Sequence, residues 1–149
     1  MSLILDTDLL SLIQRRRSIE SLRLKLKLAE FPQSEIATTI ITFEEQMRGW
    51  LSFAAKARKL DEQLIAYSNL KEFLEDYRKI IVLDFDEKAA KEFQQLKALK
   101  LRVGTMDLKI AAIALANDAL LLSRNLRDFE NIPNLKVEDW TIEQAGENQ

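Results

Sequence analysis

The stretch Gly104 to Glu130, GTMDLKIAAIALANDALLLSRNLRDFE, constrains this chain more than any other. Ile110, Ala111, Ile113, Ala114 and Leu115 crowd one side of a helix, and Ala112 and Ala116 keep the rest of it small. A helix that is apolar nearly all round belongs in a core. Asn117-Asp118 then breaks the pattern, and Ala119 to Leu122 reads as a short buried strand. The helix carries Asp107 in its first turn and the loop after the strand carries Asp128. Two carboxylates at the polar ends of one compact unit need a reason, because at about 4 Å they repel by about 1 kcal/mol in water and about 4 at an effective dielectric near 20.

Leu3-Ile4-Leu5 is a second apolar run, and it stops at Asp6-Thr7-Asp8. It reads as a central strand followed by a helix start, with Asp6 available as a cap and Leu9, Leu10, Leu12 and Ile13 as the apolar face. Ile19 to Ala29 fits both a strand and a helix period; its Leu, Lys, Arg and Glu content favours helix. Ile36 to Ile41 is β-branched and predicts a strand, after which Thr42 and Glu45 stand at capping-box spacing. Asp61 to Lys79 predicts a long amphipathic helix with Leu64, Tyr67, Leu70, Phe73, Leu74 and Tyr77 on its apolar face. Ile80 to Leu83 predicts a third strand, Asp86 a cap for a helix from Glu87 to Lys100, and Thr105 a cap for the helix bearing Asp107. Leu135 to Trp140 is expected as a last edge strand, and residues 141–149 as a tail. Strands separated by helices imply a parallel sheet covered on both faces, with ligands outside the carboxyl ends of the strands.

Composition narrows the chemistry. At 149 residues a single domain is expected, with three Gly and two Pro favouring long regular elements over a β-sandwich. There is neither Cys nor His, so disulfides, thiol nucleophiles and Ser-His-Asp triads are excluded and a typical zinc site is disfavoured. A site of oxygen ligands for Mg²⁺ or Mn²⁺ stays open. The net charge of −2 is no nucleic-acid footprint, although Arg15-Arg16-Arg17 is a local basic candidate. No apolar run approaches the roughly 20 residues of a membrane span, and no signal peptide is seen, so no membrane partner is expected and the cytoplasm is the default compartment.

Four segments together resemble a PIN-domain ribonuclease of the VapC toxin type: Leu5-Asp6-Thr7-Asp8, Thr42 to Gly49, Asp107 to Ala112, and Ser123-Arg124-Asn125 through Asp128-Phe129. The resemblance runs from Leu3 to about Trp140. It implies a PIN-like three-layer α/β/α domain over residues 1–140, with a central mostly parallel sheet of four or five strands. It makes Asp6, Glu45, Asp107 and Asp128 an acidic quartet; Glu45 is preferred to Glu44 because it stands four residues before Gly49. It implies Mg²⁺ or Mn²⁺, RNA as substrate, a cognate antitoxin and a homodimer. Asp6 and Asp107 would be the firmest metal ligands, with Thr7 and Asn125 supporting the acids from behind. Asp8 stands where the family often has Asn. Arg15, Arg16, Arg17 and Arg124 are candidate phosphate contacts.

Two other readings compete. Asp6-Thr7-Asp8 also resembles the opening of haloacid-dehalogenase-type phosphatases, with Asp6 as nucleophile and Asp8 as acid, but Leu10 stands where that pattern has Thr or Val. A catalytically inactive PIN-type binding module is the other.

Overall fold

A computed structural model describes residues 2–15 and 17–143. Strand β1 (Leu3–Leu5) leads into α1 (Thr7–Arg15) and α2 (Ile19–Leu28). A single 3-10 turn precedes β2 (Ile36–Thr39), which is followed by α3 (Ile40–Lys56) and α4 (Leu60–Tyr77). Then come β3 (Ile81–Leu83), α5 (Glu87–Ala98), α6 (Thr105–Ala116), β4 (Leu120–Leu122), α7 (Leu126–Phe129) and β5 (Lys136–Glu138). The ambiguous segment after Ser18 is helix, and Ser18 caps it by accepting from the Ser21 N–H.

The five strands form one sheet in the order β3-β2-β1-β4-β5, and every pairing is parallel. β1 lies in the middle, with Leu3, Ile4 and Leu5 in register with Leu120, Leu121 and Leu122. The chain builds outward from β1 to β2 and β3, then crosses back to place β4 on the other side of β1. The carboxyl ends of β1 and β4 therefore flank a topological switch point, where connections leave in opposite directions and a crevice opens.

Period-2 alternation divides the core into two layers. Ile4 and Leu121 point to one face and pack with α5 and α6, whose Ile110 to Ala114 are fully buried. Leu3, Leu5, Leu120 and Leu122 point to the other and pack with α1, α2 and Trp140. α6 thus lies in the core, as its all-round apolar sequence requires. Trp140 closes the second layer, stacked on Phe31 with ring centroids 5.4 Å apart. Thr141, expected in the tail, is buried and its N–H donates to Asp139.

Several boundaries differ from expectation for local reasons. β2 ends at Thr39, not Ile41, because the Thr39 hydroxyl accepts from the Thr42 N–H and starts α3 there. Thr42 lies inside the helix, so Glu45 is no part of a capping box. Gly104, rather than Thr105, is the N-cap of α6 and makes no side-chain cap. Asp128 and Phe129 lie in the short helix α7 where a turn was expected. On α4 the predicted apolar face is only partly inward: Phe73 is buried, and with Tyr77 packs on Phe43 of α3. Leu64, Tyr67 and Leu74 are exposed.

Candidate active site

The acids are brought together by the elements that precede them. β1 delivers Asp6 to the switch-point crevice, where its N–H continues the ladder to the Leu122 carbonyl at 3.2 Å. Its Oδ1 accepts from the Leu9 N–H at 2.9 Å, so Asp6 does cap α1. Capping does not exclude a second role, because a carboxylate accepts on both oxygens. Asp6 is buried. Burial pushes its pKa up to about 6; hydrogen bonds from Ser123 and Leu9 pull it down, and the charges of Asp8 and Asp107 raise it.

Glu45 lies in the second turn of α3, half-buried. Its Oε1 accepts from the Thr7 hydroxyl at 2.7 Å. Thr7 Oγ1 is also 3.1 Å from Thr42 Oγ1, which is 3.4 Å from Thr39 Oγ1. Each hydroxyl carries one hydrogen, and Thr7 gives its own to Glu45. The threonines therefore form a one-way relay in which Thr39 donates to Thr42, Thr42 to Thr7, and Thr7 to Glu45. This relay holds the Glu45 carboxylate in one orientation.

Asp107, in the first turn of α6, is half-buried. Its pKa is raised, first by burial and then by the charges of Glu45 and Asp128. Asp128, on α7, accepts at Oδ2 from Asn125 Nδ2 at 3.0 Å. Asp107 is thus the electrostatic centre of the quartet, coupled to each of the other three acids.

The basic candidates separate. Arg124 donates to both oxygens of Asp8, at 2.7 and 2.6 Å, and to Glu20 at 2.5 Å. Arg15 stacks over Trp50, 3.8 Å from the ring centroid. Arg17 is exposed, and Arg16 lies outside the described residues. Three functional side chains escaped the sequence reading. Ser123, fully buried, serves Asp6 directly while its Oγ accepts from the Asn125 N–H at 2.9 Å. Its place immediately after β4 was the available signal. Thr42 was read as a cap, and Glu20 was given no role.

The candidate donors are all oxygen, and Asp107 is repelled by Glu45 and Asp128, a chemistry that suits a hard divalent cation. Among the described residues no group of three or more acids forms a ready-made cage. Asp8 is clamped in a bidentate ion pair and is not free to serve as the acid of a phosphatase.

Comparison with known proteins agrees. The family model described as the PIN domain matches residues 3–135. A ribonuclease VapC2 of Haemophilus influenzae is 30% identical over 142 residues, covering 91% of this chain and 96% of the relative. A tRNA(fMet)-specific endonuclease VapC of Salmonella typhimurium is 40% identical over a 63-residue stretch, 40% of this chain and 48% of that protein. Among solved structures, VapBC2 from Rickettsia felis, bound to a DNA fragment from its promoter, superposes with a TM-score of 0.71 at 26% identity, covering 94% of this chain and 99% of that one. The match over nearly the whole length, on an all-parallel sheet, means that this chain belongs to the PIN-domain family, among the VapC ribonucleases.

Proposed function

We propose that this protein is a toxin-type endoribonuclease that hydrolyses RNA phosphodiester bonds with Mg²⁺ or Mn²⁺ and is neutralised by a cognate antitoxin in the cytoplasm. The observation that carries this reading is the electrostatic coupling of Asp107 to Asp6, Glu45 and Asp128 in a VapC-type chain. Bare carboxylates would repel a phosphodiester, whose non-bridging oxygens gain charge as water attacks. A divalent cation, when bound, supplies a Lewis acid and lowers the pKa of coordinated water.

Asp6 and Asp107 are assigned as its direct holders, and Glu45 and Asp128 as completing the set directly or through water. Thr7 keeps Glu45 oriented. Asn125 turns one oxygen of Asp128 to itself and leaves the other for the site. Ser123 lowers the proton affinity of Asp6, which burial otherwise raises. The backbone of α1 helps in the same sense, through the Leu9 N–H.

Partner binding is supported by the surface. Leu60, Leu64, Ile65, Tyr67 and Leu74 of α4, with Leu51 and Phe53 of α3, are all exposed. Exposed large apolar side chains such as Leu60, Leu64, Tyr67 and Leu74, which share one side of α4, suit a protein interface better than water, in keeping with a homodimer and an antitoxin. Among the described residues no helix is long and apolar enough to cross a membrane.

The test is cleavage of a mixed RNA pool by the purified protein with Mn²⁺, Mg²⁺ or EDTA, beside Asp107→Asn. Metal-dependent cleavage that falls by at least about a hundredfold in the variant is expected, the scale seen when electrostatic machinery is removed. Equal cleavage by Asp107→Asn would overturn the site. Absence of cleavage with either metal would favour the binding-only module.

A further inference from the structure

Arg124 was a candidate phosphate contact, but its surroundings give it different work. Its guanidinium meets Asp8 in the first turn of α1 and Glu20 in the first turn of α2, with three hydrogen bonds between 2.5 and 2.7 Å. One cation faces two anions, so the cluster carries a net negative charge and has no positive charge to spare for RNA. Most exposed ion pairs contribute little, but a bidentate arginine in a network is the recognised exception.

What the network holds is more telling. Ser123, Arg124 and Asn125 are consecutive, and each reaches a different target: Ser123 serves Asp6, Arg124 spans the two helix starts, and Asn125 holds Asp128. Asp6 and Asp128 are thus supported by the immediate neighbours of Arg124 on either side. A shift of this loop moves both supports together. The anchor at Glu20 touches none of the four acids, which separates it from the machinery proper.

We infer that Arg124 and Glu20 are positioning residues for the ribonuclease site: their ion pair fastens the Ser123–Asn125 loop to the start of α2 and thereby sets the spacing of Asp6 and Asp128. This rests on the ribonuclease reading, and it makes α2 a structural partner of the site although α2 contributes no acid to it.

Glu20→Gln is the decisive variant, because it removes the outer charge and leaves Asp8 and the quartet untouched. The expected result is a kcat about tenfold lower with KM little changed, short of the roughly hundredfold that a 1 Å misplacement can cost. Glu20→Asp, which keeps the charge, should recover most of the rate. Amide hydrogen exchange over residues 123–129 should quicken in Glu20→Gln while the core strand β1 keeps its protection. A lower KM or tighter binding of an RNA oligonucleotide by Glu20→Gln would overturn the inference, since it would mean that Glu20 withholds Arg124 from the substrate. Unchanged kcat with unchanged exchange would overturn it as well. If the wild type cleaves no RNA, the ribonuclease reading fails by itself, and unchanged loop exchange in Glu20→Gln would still sink the fastening role.

Discussion

Asp6 carries two demands that pull against each other. As a buried carboxylate with a pKa of about 6 against an ordinary 3.8, it resists ionisation in the fold. At Asp6 the folded state then binds more protons than the unfolded chain between those values, so the contribution of Asp6 to stability is fully present below about pH 4 and is lost as the pH rises through 6. Two pH units correspond to about 3 kcal/mol at neutral pH. Asparagine keeps the cap to Leu9, since Asn and Asp cap about equally well, but has no charge to desolvate. Asp6→Asn should therefore abolish RNA cleavage while raising the denaturation midpoint at pH 7, and the gain should shrink towards pH 4. Denaturant titrations at the two pH values check the sign; a variant less stable than wild type at pH 7 would refute it. At the same scale, Thr7 donates to Glu45 and Asn125 to Asp128.

Among the elements, α3 shows how a cap decides a site. Starting the helix at Thr39 instead of Thr42 turns Glu45 from a terminal residue into one on the second turn, facing Thr7 across the crevice. The fully buried Thr39 hydroxyl serves both the cap and the relay to Glu45. Thr39→Val keeps the shape but leaves the buried Thr42 N–H without its acceptor, at a cost of about 1–3 kcal/mol. Urea unfolding should show that loss, and cleavage should fall through the disturbed Glu45. A wild-type midpoint would mean that another group had taken over the cap. Nothing in the local sequence distinguishes Thr39 from Thr42 as a cap, because both are threonines in a β-branched run. The helix α6 was legible for the opposite reason: its uniform apolar surface has a single environment that suits it.

For the molecule as a whole, Asp6 and Asp107 are held towards their neutral forms by burial and by neighbouring acids, so a cation shared by the proposed quartet would stabilise the fold. If the acids share one divalent ion, Mg²⁺ or Mn²⁺ at a hundred times its dissociation constant should stabilise the fold by about 2.7 kcal/mol. For a chain of this size that is a rise in Tm of roughly 5–10 °C. The shift should be lost in Asp107→Asn, and thermal unfolding with Mg²⁺, Mn²⁺ and Ca²⁺ measures it. No shift at millimolar metal would argue against a shared ion.

Much of this architecture is written locally. The alternating strand and helix periods, the breaks at Asn117-Asp118 and Phe31-Pro32, and the absence of His and Cys depend on neighbours within a few residues, and they define a parallel α/β domain with an oxygen-only chemistry. The four acids could be named together because the four segments that hold them resemble one family. The order β3-β2-β1-β4-β5 is another matter: it arises from which apolar faces cover one another, and no single segment contains it. That order puts the switch point between Asp6 and Ser123. The partners of Arg124, 104 and 116 residues away in the chain, were likewise decided only by the assembled fold. An ion pair between distant segments has no local signature, and it forms once packing has already brought the helix starts to the same edge.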